Sequence, residues 1–240
     1  MYKKFVKTSN VMSFLTGFSA VETRGAMESC FMLVSGKAGL GKTSTARWWA
    51  LNPQVNAIYI RAAARITSHW MIAEIVRELG EAPDRRMEYC FAQAVKQVAL
   101  ARRPLIIDEA EHCLTDPTVL ESVRDISDLT DVPVILIGYE QIKSKLKKYE
   151  QLSSRVSAVV DFRPLSIEDV QTCCKDLSDI AIAPDLCAAI HRESQGRPRL
   201  ILEGIANAER HAKRNSLHEV SFADMRGQTV IHDWTRKGGR

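Results

Sequence analysis

The chain has 240 residues, of which 45% are hydrophobic and 26% charged, and its formal net charge is +4. This composition excludes global disorder, because the apolar content is too high and the net charge too low, and it excludes collagen-like and low-complexity proteins. No apolar run approaches the ~20 residues that a membrane helix needs. Residues 1–10 lack the apolar segment of a signal peptide. We therefore expect a cytoplasmic protein with no membrane partner.

Short apolar runs alternate with longer amphipathic stretches through the first two thirds of the chain. Because the runs are continuously apolar, they predict a parallel sheet that is covered on both faces by helices. We expect strands at residues 30–35, 55–61, 105–108, 132–137 and 156–162.

Amphipathic segments predict helices between these strands, and only helices after residue 164. The interstrand helices are expected at residues 42–50, 67–79, 87–101, 117–129 and 141–149, and the later ones at 166–177, 184–192, 199–214 and 222–234. The predicted fold class is therefore α/β. A core of five parallel strands flanked by helices occupies residues 1–163, with a short N-terminal segment 1–25, and a small all-helical domain with a basic tail occupies residues 164–240.

The six cysteines do not form a C-x-x-C motif, and most of them stand beside apolar residues. This pattern is typical of reduced, buried thiols rather than of a zinc site. They are Cys30, Cys90, Cys113, Cys173, Cys174 and Cys187.

Residues 36–43, GKAGLGKT, match the phosphate-binding pattern G-x-x-x-x-G-K-[ST] between a predicted strand and a predicted helix. Glycines let successive backbone N–H groups surround a phosphate, and the helix N-terminus adds a positive dipole end. Lys42 is expected to reach the β- and γ-phosphates of ATP, and Thr43 to offer its hydroxyl to Mg²⁺. The predicted nucleotide-binding residues are Gly36, Lys37, Ala38, Gly39, Leu40, Gly41, Lys42, Thr43 and Ser44.

Two acids, Asp108 and Glu109, end the third predicted strand. Asp108 is expected to hold Mg²⁺ through water, and Glu109 to polarise an attacking water as a general base. The alternative is that Glu109 and Glu111 are acids stabilised by a helix dipole. A carboxylate placed to activate water favours ATP hydrolysis over phosphoryl transfer to a second substrate.

The chain resembles the AAA+ ATPases in five segments, which are GKAGLGKT, LIIDEAEH, VPVILIGYEQ, SSRV and GRPR. Within that superfamily, its compactness, the DEAEH segment and the run RDISDLTDVPVILIG resemble the DNA-transposition ATPases typified by the B protein of bacteriophage Mu and by related transposon target-selection ATPases. The resemblance covers about residues 10–213.

The resemblance implies roles for three further residues. Arg155 matches the arginine finger, a catalytic residue that reaches the γ-phosphate of a neighbouring subunit, and Arg199 matches the sensor-2 arginine that contacts nucleotide. Tyr139 stands at the sensor-1 position, where the family usually has Asn or Thr. The alternatives from the residues alone are that Arg155 caps the C-terminus of a helix and that Arg199 is a surface residue of an amphipathic helix.

The resemblance also implies an ATP-dependent head-to-tail oligomer, either a helical filament or a ring, on double-stranded DNA that is bound without sequence preference, and a transposase as partner. Phosphate contact requires cationic and hydroxyl-bearing side chains, each of which alone is also compatible with an ordinary solvated surface. The predicted DNA-binding residues are Arg61, Arg65, Thr67, Ser68, Arg85, Arg86 and Lys96, with residues 233–240 as an accessory.

Two other functions remain open from the sequence. One is a helicase loader or replication initiator with the same fold, and the other is a nucleotide-switched scaffold that does not bind DNA. DNA-stimulated ATPase activity, combined with electron microscopy of protein, ATP and duplex DNA, would distinguish both from the transposition ATPase.

Overall fold

The computed structural model describes residues 1–232, so the predicted basic tail at 233–240 lies outside the described residues. The chain packs into two compact units. One comprises Ser13–Lys37 and Lys42–Phe162, and the other comprises Met1–Met12, Ala38–Gly41 and, within the described part of the chain, residues 163–232. The predicted division of the chain into two domains after residue 163 stays a prediction.

A single five-stranded sheet organises the larger unit, with strand order β2-β3-β4-β1-β5. All four neighbouring pairs are parallel, and every residue of β1, β3 and β4 is buried. The α/β fold with five parallel strands is therefore confirmed. The strands are β1 (Phe31–Ser35), β2 (Ile58–Arg61), β3 (Leu105–Asp108), β4 (Val134–Ile137) and β5 (Val156–Asp161).

Helices flank this sheet, close to where the sequence predicts them. The helix expected at 141–149 is shorter, at 142–146, and a second short helix at 150–153 lies beyond the predicted range. A 3-10 helix, Ala110–Thr115, follows β3 directly. The helices are α2 (Lys42–Ala50), α3 (Ser68–Glu78), α4 (Met87–Ala101), α5 (Thr118–Thr130), α6 (Ile142–Leu146) and α7 (Glu150–Ser153).

A further helix, α1 (Ser9–Glu22), is absent from the sequence prediction. The rings of Phe14 and Phe18 contact the ring of Trp49 edge-on, with centroids 5.4 and 4.4 Å apart. The buried side chains follow a helical spacing of three and four residues. They are Val11, Phe14, Phe18 and Val21.

The smaller unit has a hydrophobic core of its own around helices α8 (Ile167–Leu177), α9 (Pro184–Ser194) and α10 (Pro198–Arg214). Helix α8 begins with a capping box, because the Ser166 hydroxyl accepts a hydrogen bond from the Asp169 amide and the Asp169 carboxylate accepts one from the Ser166 amide. The helices predicted at 166–177, 184–192 and 199–214 are thus present.

Two details of the smaller unit differ from the all-helical expectation. Strands β6 (Ala181–Ile182) and β7 (Glu219–Val220) form a short parallel pair. The helix predicted at 222–234 is absent within residues 222–232, which form turns. The Asp224 carboxylate accepts hydrogen bonds from both the amide and the hydroxyl of Ser221, and Gly227 adopts a left-handed φ of +78°. Both features favour turns over a continuous helix.

None of the helices in residues 1–232 is long and apolar enough to cross a membrane.

Candidate nucleotide site

The glycine loop between β1 and α2 has the backbone conformation that its sequence predicts. Gly39 and Gly41 have positive φ values of +80° and +90°, which other residues rarely adopt. A β-carbon on Gly36 would lie 2.7 Å from the Phe162 carbonyl oxygen, so only glycine fits there. Within the loop, Lys37, Ala38 and Gly39 are exposed, Leu40 is buried, and Ser44 is exposed at the start of α2.

Lys42 bends back over the beginning of its own loop. Its ammonium group donates hydrogen bonds of 2.6 Å to the Gly36 carbonyl and 2.9 Å to the Lys37 carbonyl. Burial lowers the pKa of Lys42, while the nearby carboxylates of Glu111 and Asp108 act in the opposite direction. The cation therefore lies beside the glycine cradle, where a phosphate would need it.

Asp108 connects the start of α2 to the ends of two strands. Its Oδ2 accepts hydrogen bonds of 2.7 Å from the hydroxyls of Thr43 and Tyr59, and its Oδ1 accepts one of 2.9 Å from the Glu109 amide. The side chain is only 3% exposed. Burial and the contact with Asp108 raise the pKa of Tyr59 to about 12, so the phenol keeps its proton and donates.

This set of donors fits a Mg²⁺ ion. Magnesium is commonly held by one or two protein oxygens, several waters and the phosphates of a nucleotide, rather than by a cage of carboxylates. The described residues contain no cluster of three or more His, Cys, Asp or Glu side chains that would form such a cage. Because Thr43 donates its hydrogen to Asp108, its oxygen keeps lone pairs for a cation.

Glu109, the predicted general base, is engaged by an arginine. Its backbone has a left-handed φ of +56°, and its Oε1 accepts a 2.6 Å hydrogen bond from Nη2 of Arg61. This hydrogen bond lowers the pKa of Glu109. The Nε2 atom of His112 lies 3.7 Å from the other carboxylate oxygen. In this arrangement Glu109 is a weaker base than a free glutamate.

Beside Lys42, the predicted sensor position is occupied by an exposed aromatic ring. Tyr139 is 52% exposed, and the Lys42 ammonium lies 5.5 Å from its ring centroid. The Glu111 carboxylate lies close to Gly138, the residue before Tyr139. A β-carbon on Gly138 would lie 2.5 Å from Oε2 of Glu111. That oxygen is buried and finds no hydrogen-bond partner among residues 1–232.

Arg155 lies at the opposite end of the sheet from the glycine loop. It precedes β5, whereas the loop follows the parallel strand β1, so roughly 15 Å of strand separates the two ends. Its Nη2 donates a 2.9 Å hydrogen bond to Asp128, and its side chain is 28% exposed. Arg199 is an exposed residue in the first turn of α10, in the smaller unit. The roles predicted for these two arginines, and for Tyr139, stay predictions.

The predicted DNA-binding residues are of two kinds: exposed cationic side chains, and hydroxyl groups that already have hydrogen-bond partners in the protein. Thr67 caps α3 by accepting a hydrogen bond from the Trp70 amide, and the Ser68 and Thr118 hydroxyls lie 3.1 Å apart. The Arg86 guanidinium lies 4.0 Å from the Tyr89 ring centroid. The exposed cations are Arg61, Arg65, Arg85, Arg86 and Lys96.

Two residues of the site, Tyr59 and Glu111, are missing from the sequence prediction. Tyr59 and Arg61 lie two positions apart on β2 and therefore on one face of the strand. The two-residue spacing of Tyr59 and Arg61, on a strand expected beside the one that ends in Asp108, is the sequence feature that would have indicated Tyr59. The repeated acid in DEAE is the corresponding signal for Glu111.

Comparisons with known proteins concern the family and the fold of the chain. A family model described as an AAA domain matches residues 26–146, half of the chain. No curated protein matches the sequence.

Several solved structures have a similar fold. The Aeropyrum pernix ORC2 protein, solved as ADPNP–ADP complexes, has a TM-score of 0.69 and 13% identity over 90% of this chain and 65% of that chain. The Aeropyrum pernix ORC1 protein in complex with DNA has a TM-score of 0.59 and 18% identity, covering 91% and 63%. The Thermotoga maritima RuvB Holliday junction branch migration motor has a TM-score of 0.60 and 18% identity, covering 90% and 68%. This chain thus spans less than two thirds of the length of either ORC protein. At these identities the likeness concerns the fold.

Proposed function

The chain belongs to the AAA domain family of AAA+ ATPases, and we propose that it binds ATP with Mg²⁺ and hydrolyses the nucleotide to ADP and phosphate. The observation that carries this proposal is the 2.7 Å hydrogen bond from Thr43 to the buried Asp108 carboxylate, directly after a glycine loop. It aligns a hydroxyl oxygen and a carboxylate beside the phosphate cradle, which is the arrangement that a Mg²⁺–nucleotide complex requires.

Each side chain has a defined task in this proposal. Lys42 exchanges its two loop carbonyls for phosphate oxygens when nucleotide binds. Thr43 keeps its hydrogen bond to Asp108, and the lone pairs of its hydroxyl oxygen remain available to the cation. When bound, Mg²⁺ supplies positive charge that neutralises the β- and γ-phosphates. Glu109, once it leaves Arg61, accepts a proton from the attacking water at a carboxylate oxygen.

The test is equilibrium binding of a fluorescent ATP analogue together with phosphate release. Lys42→Ala should abolish binding, because it removes the ammonium group that lies against the loop carbonyls of Gly36 and Lys37. The matched control is Lys37→Ala, which removes an exposed lysine of the same loop. Binding that survives in Lys42→Ala, or is lost equally in Lys37→Ala, would argue against this nucleotide site.

The finer proposal is that ATP-bound subunits assemble on target DNA without sequence preference and recruit or stimulate a transposase. Exposed arginines support DNA contact, among them Arg61 and Arg65 at the end of β2 and Arg85 before α4. The ORC1 protein of similar fold is in complex with DNA, and RuvB is described as a branch migration motor. The location of Arg155, away from its own loop, supports assembly in which it serves a neighbouring subunit.

One experiment distinguishes this function from its alternatives. Electron microscopy of protein, ATP and random-sequence duplex DNA is combined with measurement of DNA-stimulated ATPase activity. Filaments on any duplex, together with stimulation of a transposase by the protein, support the transposition ATPase. A closed ring that forms only with a helicase supports a helicase loader. An ATPase rate that is the same with and without DNA supports a nucleotide-switched scaffold.

A further inference from the structure

The Asp108 carboxylate has a second hydroxyl partner besides Thr43. The Tyr59 hydroxyl donates to the same oxygen, Oδ2, over the same distance of 2.7 Å. Tyr59 comes from β2, which pairs with β3 in the register that places Arg61 opposite Asp108. Two elements, α2 and β2, therefore hold one carboxylate oxygen from two directions.

The phenol ring is itself held in place. The Arg47 guanidinium, one turn along α2 from Thr43, lies 5.3 Å from the Tyr59 ring centroid. Such a cation–π contact restrains the ring, and the strand backbone fixes its other end. The hydroxyl thus approaches Asp108 from a rigid support.

We propose that Tyr59 is a positioning residue of the metal site, whose hydroxyl fixes the orientation of the Asp108 carboxylate toward the cation. This inference rests on the proposed function, because it concerns the metal that accompanies the nucleotide. The proposed role of Tyr59 requires no contact with the nucleotide or with the attacking water. It acts through Asp108, as hydrogen-bonding partners of ligands generally do in metal sites.

Loss of the hydroxyl has a specific consequence. In Tyr59→Phe the ring still packs beneath Arg47, but Oδ2 loses one of its two hydroxyl donors and the carboxylate turns more freely. The affinity for Mg²⁺ should fall, whereas the contacts between the loop and the phosphates should keep their strength. The expected change is about a tenfold rise in the Mg²⁺ concentration at half-saturation.

The experiment titrates Mg²⁺ against the binding of a fluorescent ATP analogue and separately measures binding of the analogue in EDTA. Tyr59→Phe should raise the Mg²⁺ midpoint about tenfold and leave the affinity in EDTA unchanged. The ATPase rate at saturating Mg²⁺ should fall less than the rate at limiting Mg²⁺. The control is Tyr149→Phe, because the Tyr149 hydroxyl contacts the Leu114 carbonyl at 3.5 Å and not Asp108.

Three outcomes decide the question. A raised midpoint in Tyr59→Phe alone supports the inference, and an unchanged midpoint, or an equal change in Tyr149→Phe, overturns it. If the wild-type protein binds no ATP at all, the proposed function fails rather than this inference. Should Tyr59→Phe not fold, Arg47→Ala replaces it, since removing the restraint on the ring should shift the Mg²⁺ midpoint in the same direction by a smaller factor, and no shift would overturn the inference.

Discussion

Arg61 donates a 2.6 Å hydrogen bond to Glu109, so a side chain predicted to contact DNA holds the side chain predicted to activate water. The contact follows from sheet register, because β2 and β3 are neighbours and Arg61 lies opposite Asp108. The arginine is 61% exposed and the glutamate 33%. A DNA phosphate that binds Arg61 would therefore compete directly with Glu109 for the same guanidinium.

Arg61→Ala should raise the ATPase rate without DNA and reduce stimulation by DNA. Because the ion pair is substantially exposed to solvent, its loss should raise the rate only modestly, by about 1.5- to 5-fold. The measurement is steady-state phosphate release with and without random-sequence duplex.

The control for Arg61 is Arg65→Ala, which removes an exposed arginine a few residues further along the chain. If both arginines contact DNA, both variants should bind it more weakly, but only Arg61→Ala should hydrolyse ATP faster in its absence. A basal rate that is unchanged in Arg61→Ala would show that the ion pair does not restrain Glu109.

Glu109→Gln should retain nucleotide binding and lose hydrolysis. The amide keeps the shape of the side chain but accepts no proton from water, which typically lowers a rate by about 10²- to 10⁴-fold. Binding of the ATP analogue and single-turnover hydrolysis are measured on the same preparation. Turnover near the wild-type rate would exclude Glu109 as the base, and Glu111, whose Oε2 is buried without a partner among the described residues, would be the next residue to replace.

A mixture of two inactive variants should recover activity if Arg155 acts on a neighbouring subunit. Arg155→Ala keeps an intact Glu109, and Glu109→Gln keeps an intact Arg155, so some subunit interfaces in a mixed assembly contain both. Release of Arg155 from Asp128 is no obstacle, because a partly exposed ion pair is worth about 1 kcal/mol or less.

The readout of this mixture is phosphate release at a fixed total protein concentration with DNA present. Glu109→Gln mixed with Lys42→Ala serves as the control, because a site completed by a neighbour's Arg155 still lacks its own base or lysine. Equal inactivity of both mixtures would contradict the arginine-finger assignment.

The thiols should differ sharply in reactivity. Burial raises the pKa of Cys113 to about 12 and that of Cys173 to about 11, so at pH 8 both remain almost entirely protonated. A hydrogen bond from Cys174 lowers the pKa of Cys187, and both of these residues line a cavity of about 490 Å³. Alkylation of the native protein, followed by mass spectrometry, should modify Cys187 first and Cys113 last. Rapid labelling of Cys113 would show that its surroundings open in solution.

The sequence predicts the strands well because each is a short apolar run next to a turn or helix signal. The run LIID at 105–108 coincides with β3 to the residue. The loop between β1 and α2 is equally predictable, since its glycines and lysine are fixed by local backbone chemistry. Interactions within a few residues of the chain decide these features.

Pairings between distant segments are much harder to predict. The contact of Tyr59 with Asp108 depends on which strands are neighbours, and the contact of Arg61 with Glu109 depends on a left-handed backbone at a non-glycine residue. The turns at residues 222–232 replace a predicted helix because Ser221 and Asp224 hydrogen-bond locally, a competition that periodicity alone does not reveal.

Gly196 of the GRPR segment should be far more sensitive to substitution than another glycine of the same unit with a similar backbone. Gly196 and Gly227 have φ values of +69° and +78°. A β-carbon at 196 would lie 2.5 Å from the Leu165 carbonyl oxygen and 2.7 Å from its amide nitrogen, whereas one at 227 would meet nothing within 4 Å. Gly227→Ala should lower the free energy of unfolding by ~1 kcal/mol through backbone strain alone. Gly196→Ala should lower it by ~3 kcal/mol, because a clash with backbone atoms adds to the same strain. Guanidinium denaturation followed by circular dichroism measures both variants, and equal losses would show that the chain at Leu165 moves aside.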